Sequence, residues 1–291
     1  MKQRFLAYLQ YEKRYSDHTV TAYRTDLDQF HEYLQTQYNT INITEVTHPI
    51  IRSWLVELME NHVTSRTVTR KLTTLRSFFK YLVRESVLVV NPMQKITSPK
   101  ISKKLPVFIE KDKMDLLLDK VAFEDGYPGI RDRLIIELFY SAGIRLSELV
   151  SLKETDIDFH YDTIKVLGKR NKERLIPFSN KMVFLMKVYL VEKRNSFGET
   201  NDMFLTDKGN RIYPRMVYRI VTHHLGKVTT LEKKSPHVLR HTFATHLLNN
   251  GAELNAVKEL LGHASLSATQ VYTHNTIDKL KRIYKQAHPK A

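Results

Sequence analysis

The chain contains no cysteine. That absence excludes a disulfide framework, a thiolate nucleophile and a thiolate metal site together. The first residues, M-K-Q-R-F-L-A-Y-L-Q-Y-E-K-R, lack the long apolar core and the cleavage site of a signal peptide, and no stretch reads as a membrane span. A cytoplasmic protein with no membrane partner is therefore expected. No G-x-x-x-x-G-K-[ST] phosphate loop is present, so nucleotide hydrolysis is not indicated. Internal repeats and low-complexity segments are missing too. Acidic residues are outnumbered: 31 Asp and Glu face 46 Lys and Arg, a formal charge of +15. The excess is spread along the chain, with 16 basic against 9 acidic residues over 1–104 (+7) and 30 against 22 over 105–291 (+8). Two basic halves suit a clamp around a polyanion, and nucleic acid is the favoured partner.

The 291 residues are enough for two domains of ordinary size. Residues 2–14 read as a short helix with Phe5, Leu6 and Leu9 inward. Ser16 or Asp17 caps a second, whose stripe is Val20, Tyr23, Leu27, Phe30 and Leu34. Thr47-His-Pro49 opens a third, with Ile51, Trp54, Leu55 and Leu58 buried. Ser65 starts a fourth, with Val68, Leu72, Leu75, Phe79 and Leu82 on one face. Four helices with short connections make a small bundle. The polar face of the fourth carries Arg66, Arg70, Lys71, Arg76 and Lys80; it is either a solvated face or one set against phosphates, and the charge of the whole chain favours the second. Residues 90–106 hold prolines and lysines but no acid, which predicts an extended linker crossing the DNA backbone.

The second half is read as helices over Lys111–Ala122 and Ile130–Ala142, the latter capped by Gly143. A short helix follows, with Arg145 at its start and Glu148 one turn on. Thr163–Leu167 and E-R-L-I-P at 173–177 read as two strands joined by the turn G-K-R-N-K, Met203–Thr206 as a third strand, and 179–194 and 214–225 as helices.

The stretch from Ser235 to His274 carries the chemistry. Pro236 suits a first helical turn and Gly251 a left-handed end. His237 and Arg240, three apart, share a helix face. His263 follows a glycine break, and Tyr272 comes nine residues later. Two imidazoles, a fixed cation and a phenol suit attack on a phosphodiester. A phenol of pKa about 10 needs help to become a nucleophile, a guanidinium forks onto phosphate oxygens and offsets developing charge, and imidazoles donate hydrogen bonds or move a proton. Glu148 could hold Arg145 in place as a supporting carboxylate. Lys169, at the tip of a hairpin, is either a solubilising surface lysine or a mobile acid able to protonate a leaving 5′-oxygen. The histidines lack the H-E-x-x-H pattern and a carboxylate at ligand spacing, so neither a metal nor a cofactor is expected.

A-G-I-R-L-S-E-L, L-G-K-R-N-K-E-R-L-I-P, H-V-L-R-H-T-F-A-T-H-L, L-L-G-H-A-S-L and T-Q-V-Y-T-H stand in order along the second half. Together they resemble the signature regions of the tyrosine recombinases, and F-L-A-Y-L-Q-Y-E-K-R-Y-S-D-H-T-V-T-A-Y-R-T-D-L resembles their core-binding domain. The compact length is most like the Xer-type members. The resemblance implies a mainly α protein. It has an N-terminal four-helix core-binding domain at 1–89 and a linker at 90–106. A mostly helical catalytic domain at 107–291 carries a small three-stranded antiparallel sheet and a C-terminal exchange helix that docks on a neighbouring protomer. It also implies that Arg145, Lys169, His237, Arg240, His263 and the nucleophile Tyr272 are catalytic, with Glu148 in support. The implied activity is site-specific recombination of double-stranded DNA through a 3′-phosphotyrosyl link, resolving chromosome dimers. A homo- or hetero-tetramer with a related recombinase would act, and a DNA translocase is a candidate activator. The rivals are a type IB topoisomerase, a mobile-element or integron-type integrase and, more distantly, a DNA-binding protein without catalysis.

Overall fold

The computed structural model describes residues 1–39, 42–101, 107–168, 173–262 and 282–290. The protein is mainly α-helical and falls into two compact units, Met1–Lys104 and Leu105–Ala291. Among the described residues no helix is long and apolar enough to cross a membrane.

In the first unit, α1 (Lys2–Ala7) runs into a wider turn at Tyr8–Glu12 and is followed by α2 (Asp17–Tyr38), α3 (His48–Glu60) and α4 (Ser65–Arg84). Ser16 is the cap of α2, its Oγ accepting from the Thr19 amide, and Thr64 caps α4 in the same way. The apolar stripes meet in one core: Phe5, Leu9, Phe30, Ile51, Trp54, Leu72, Leu75 and Phe79 are all essentially inaccessible. Leu55 and Leu58 lie only at its edge. The basic face of α4 differs from the sequence expectation. Arg66 and Lys80 are exposed, but Lys71 is buried, donating to Gln29 and to Asp26 (3.4 Å) with its ammonium 5.7 Å from the Trp54 ring. Asp26, itself inaccessible, also accepts from Thr74 at 2.9 Å and pairs with Arg70. A buried carboxylate demands donors, and that demand draws one lysine of the stripe inward. Arg76 donates to the Ile96 carbonyl (2.9 Å) and Ser98 (3.0 Å), so part of the proline- and lysine-rich segment folds back, with Met93 and Ile96 joining the core.

The second unit begins its helices with α5 (Lys111–Asp115) and α6 (Tyr127–Glu137), each continued by a wide turn, at Leu116–Lys120 and Leu138–Ala142. Next come α7 (Leu146–Ser151) and a three-stranded antiparallel sheet of β1 (Ile157–Asp158), β2 (Thr163–Leu167) and β3 (Glu173–Pro177), ordered β1-β2-β3. The register pairs Val166 with Arg174 and Ile164 with Ile176, so these four point to one side, which is buried. α8 (Asn180–Phe197), α9 (Pro214–Gly226), α10 (Pro236–Asn249) and α11 (Leu254–Leu261) complete the named helices. Met203–Thr206 is not the third strand. Its buried residues are held by side chains and by backbone outside the sheet: Tyr127 and Arg131 both donate to the Leu205 carbonyl, at 3.0 and 3.3 Å, the Met203 amide donates to the Leu152 carbonyl at 2.9 Å, and a bridge joins Leu205 to Arg211.

Residues 282–290 pack on their own unit, where the resemblance had implied docking on a neighbour. Tyr284 and Ala287 close an apolar cluster with Phe243, Leu247, Val257 and Leu260. Asn250 donates to the Ala287 carbonyl (2.7 Å), and Lys290 pairs with Asp115 (2.9 Å) and Asp119 (2.5 Å). His288 stacks on Tyr284 and sits 3.1 Å from the Tyr140 carbonyl. Burial, above all, lowers its pKa to about 4; the Tyr140 carbonyl opposes the shift, and His246 and Lys290 add to it. The sign follows directly. Above pH ~6.5 the ring is neutral folded or unfolded, while between ~6.5 and ~4 only the unfolded chain takes up the proton. Stability is therefore expected to fall over that interval, by up to about 3 kcal/mol from this group. His288→Gln should flatten the dependence when melting is followed from pH 7 to 4.5. A wild-type melting temperature constant over that range would count against it.

Candidate active site

Gly143 ends the wide turn after α6 in a left-handed conformation (φ +55°), and Arg145 then stands as the cap of α7. Glu148, one turn on, folds back over the helix start. It accepts from the Arg145 amide at 2.8 Å and from Arg145 Nη1 at 2.7 Å, a reciprocal cap that aims the arginine. Arg240 arrives from the second turn of α10, and its guanidinium donates to the Gly143 carbonyl and, at 2.6 Å, to the Leu261 carbonyl. A third arginine, which the sequence reading did not single out, completes the group. Arg174 on β3 forks onto Glu148, Nη1 to Oε1 at 2.6 Å and Nη2 to Oε2 at 2.8 Å, while its Nε donates to the Leu260 carbonyl at 3.1 Å. Its signal in the sequence is a charge at an inward position of an alternating strand, where an apolar residue is the norm.

Three successive carbonyls at the end of α11 therefore each hold a different guanidinium: Leu260 takes Arg174, Leu261 takes Arg240 and Gly262 takes Arg145 (2.8 Å). Among the described residues these carbonyls have no backbone partner, and they sit at the negative end of the helix dipole, so they can assemble cations that would otherwise repel. The side chains of Glu148 and Arg174 are 1% and 4% exposed, whereas that of Arg145 is 30% exposed. Burial would raise the Glu148 pKa, but the hydrogen bonds and charge of Arg174, then the amide and guanidinium of Arg145, overcome it and hold it at about 2. Arg240 is pushed the other way, to about 9, by burial and then by Arg145 and Arg174, with only Glu148 opposing. Among the described residues three arginines face one carboxylate, which leaves excess positive charge with one arginine open to solvent. An oxyanion placed there would relieve it.

Glycine is required at both backbone corners. A Cβ on Gly143 would lie 2.5 Å from Phe243 Cδ1, and one on Gly262 (φ +64°) 2.9 Å from Arg174 Cδ. Gly262→Ala is expected to lose about 1–2 kcal/mol from the left-handed backbone, and more if Arg174 must move. Gly143→Ala should cost more, since a packed ring has less freedom than an arginine stem. Thermal melting checks the order, and Gly143→Ala melting no lower than Gly262→Ala would contradict it.

Of the expected site residues, Arg145, Glu148 and Arg240 come together. His237 lies on the first turn of α10 with its ring exposed, three residues before Arg240. Lys169, His263 and Tyr272 lie outside the described residues. The chain does bring the described backbone up to Gly262, directly before His263.

Residues 108–279 match the model of the phage integrase family, and residues 3–86 match that of the phage integrase N-terminal SAM-like domain. The tyrosine recombinase XerC of Pelotomaculum thermopropionicum is 40% identical over 299 residues, 99% of this chain and 97% of that protein. The tyrosine recombinase XerC of Listeria innocua serovar 6a is 40% identical over 295 residues, 100% of this chain and 98% of that protein. The solved structure of XerH site-specific recombinase bound to palindromic difH substrate, a post-cleavage complex, has a TM-score of 0.72 at 25% identity and covers 93% of this chain and 76% of that one. The Tn1549 transposon integrase in complex with circular intermediate DNA shares the fold, with a TM-score of 0.72 at 18% identity. The chain belongs to the phage integrase family of tyrosine recombinases. It is a site-specific recombinase, an enzyme that cleaves and rejoins DNA strands.

Proposed function

We propose that the chain is a Xer-type recombinase that resolves chromosome dimers, working in the cytoplasm on a double-stranded recombination site. The observation that supports this chemistry is the arginine cluster on the end of α11, where Arg145 and Arg240 donate to the neighbouring carbonyls of Gly262 and Leu261. In this reading Tyr272 attacks the scissile phosphate. Its phenol proton leaves with assistance from His237, the bond to the 5′-oxygen breaks, and Lys169 protonates that oxygen as it departs. Arg145 and Arg240 offset the charge on the non-bridging oxygens, and His263 donates a hydrogen bond to one of them. The product is a 3′-phosphotyrosyl link and a free 5′-hydroxyl. Because the link conserves the energy of the broken bond, the reverse attack by a 5′-hydroxyl rejoins the strand without ATP. Two arginines on the phosphate do what a divalent metal does elsewhere, so the scheme uses none.

The first unit would serve as the core-binding domain, with Arg66 and Lys80 on its exposed basic face. Four protomers would act on two duplexes, as copies of this chain or together with a related recombinase, and a DNA translocase would activate them. In that assembly the C-terminal segment would leave its place against Phe243 and Leu247 and dock on the equivalent cluster of a neighbour.

Covalent trapping tests the proposal. DNA should be recovered joined to the protein in its own cells, and sequencing it should find one chromosomal locus. Recovery of mobile-element ends would assign the chain to an integrase role, and absence of any adduct would refute the catalytic reading.

A further inference from the structure

Position 174 faces inward because β3 alternates: Arg174 and Ile176 share the buried side, opposite Val166 and Ile164 of β2. An arginine there must find compensation, and among the described residues it finds it at Glu148 and the Leu260 carbonyl. Glu148 Oε1 is thus shared between Arg174 at 2.6 Å and Arg145 at 2.7 Å. A carboxylate paired with Arg145 alone would align it and also cancel its charge. With Arg174 present, the buried pair is Glu148 with Arg174, and Arg145 is aligned without being neutralised.

We propose that Arg174 is a positioning residue of the recombination site: it neutralises Glu148 so that Arg145 keeps its charge for the phosphate, and it fastens β3 to the last turn of α11. The inference rests on the reading of Arg145 and Arg240 as the phosphate-binding arginines. In charge terms the cluster is +2 with Arg174 and +1 without it. The scissile phosphate gains negative charge on the way to its five-coordinate transition state, so the lost charge is felt in the chemical step. Overall DNA affinity is spread over many phosphate contacts and barely registers one residue that touches none of them. The fastening matters in addition because the segment between β2 and β3 holds Lys169, and the residue after Gly262 is His263.

The test uses the full chain and DNA fragments recovered by covalent trapping. Three quantities are read: single-turnover rate of covalent adduct formation, DNA affinity and melting temperature. R174M is expected to form adduct about 10- to 100-fold more slowly, with affinity within about threefold of wild type. R174K should fall between the two, since an ammonium keeps the charge but cannot fork onto both carboxylate oxygens. The decisive variant is R174M/E148Q, which removes both members of the buried pair and returns the cluster to +2. It should recover adduct formation by about tenfold over R174M, where loss of a merely structural strut would give no recovery. If R174M does not fold, the double variant, which removes both charges of the buried Glu148–Arg174 pair, should fold and cleave within about tenfold of wild type.

A folded R174M that cleaves at the wild-type rate overturns the proposal. So does a folded double variant no faster than R174M, or, where R174M is unfolded, one that forms no adduct. R145A separates this from the underlying reading. If wild type forms adduct and R145A does not, the phosphate site stands whatever Arg174 does. If R145A cleaves like wild type, the reading of the site fails and the role of Arg174 fails with it.

Discussion

Arg240→Ala is expected to slow strand cleavage on the order of 10²–10³-fold, the loss that follows removal of one fixed donor from a developing oxyanion. The physical basis is its setting. The residue is 9% exposed, its guanidinium pairs with no carboxylate among the described residues, and it is held by the Gly143 and Leu261 carbonyls. Its cationic form is disfavoured by burial and by Arg145 and Arg174, which is why its pKa stands near 9. An arriving phosphate supplies the missing charge, and more of it in the transition state than in the ground state. Arg240→Lys should remain impaired, because one ammonium cannot keep both carbonyls and still reach the phosphate. DNA binding should change by only a few-fold, as one contact among many. Single-turnover adduct formation alongside a binding titration separates the two quantities. An Arg240→Ala protein that cleaves within threefold of wild type would remove the cluster from the mechanism.

A second large effect is expected where the bridging 5′-oxygen of the scissile phosphate is replaced by sulfur. An alkoxide needs a proton to leave, whereas a thiolate, of far lower pKa, does not. Lys169→Ala should therefore fail on ordinary DNA and cleave the sulfur substrate nearly as well as wild type. Tyr272→Phe should form no adduct with either, since no leaving group replaces a missing nucleophile. Arg145→Ala and Arg240→Ala should stay impaired on both, because in the proposed scheme their charge offsets that of the non-bridging oxygens. Rescue of His237→Ala by sulfur, with Lys169→Ala still inactive, would move the general acid from the hairpin to α10. An adduct from Tyr272→Phe would overturn the assignment of the nucleophile.

Much of the site was legible along the chain because its signals are local. A glycine that ends a helix, an arginine directly after it and a glutamate one turn on are neighbours in sequence, and Gly143, Arg145 and Glu148 became a helix end, a cap and a reciprocal bond. His237 and Arg240 are three residues apart on one helix by the period of the helix alone. The same locality accounts for the stripes of α2 and α4, whose Val20, Leu27, Phe30, Val68, Leu72 and Phe79 are buried. It also accounts for β2 and β3, where alternation and the turn-forming composition of G-K-R-N-K between them point to the observed antiparallel pair.

What the chain order could not supply was the partner of a buried charge. Lys71 read as one more cation on an exposed stripe, but Asp26, 45 residues earlier, draws it into the first unit. Met203–Thr206 read as a strand from its composition, yet Tyr127 and Arg131 satisfy its Leu205 carbonyl, and the edge of the sheet went to Ile157–Asp158. Arg174 read as part of a hairpin; its role appears only when Glu148, 26 residues away, and Leu260, 86 residues away, come within hydrogen-bond reach. The sequence by itself determined the helices, the pairing of β2 with β3 and the basic charge, because period, capping and composition act over a few residues. Only the tertiary structure decided that Arg174 forks onto Glu148, because a charge removed from water must be paired by whatever the fold brings beside it, however distant in the chain.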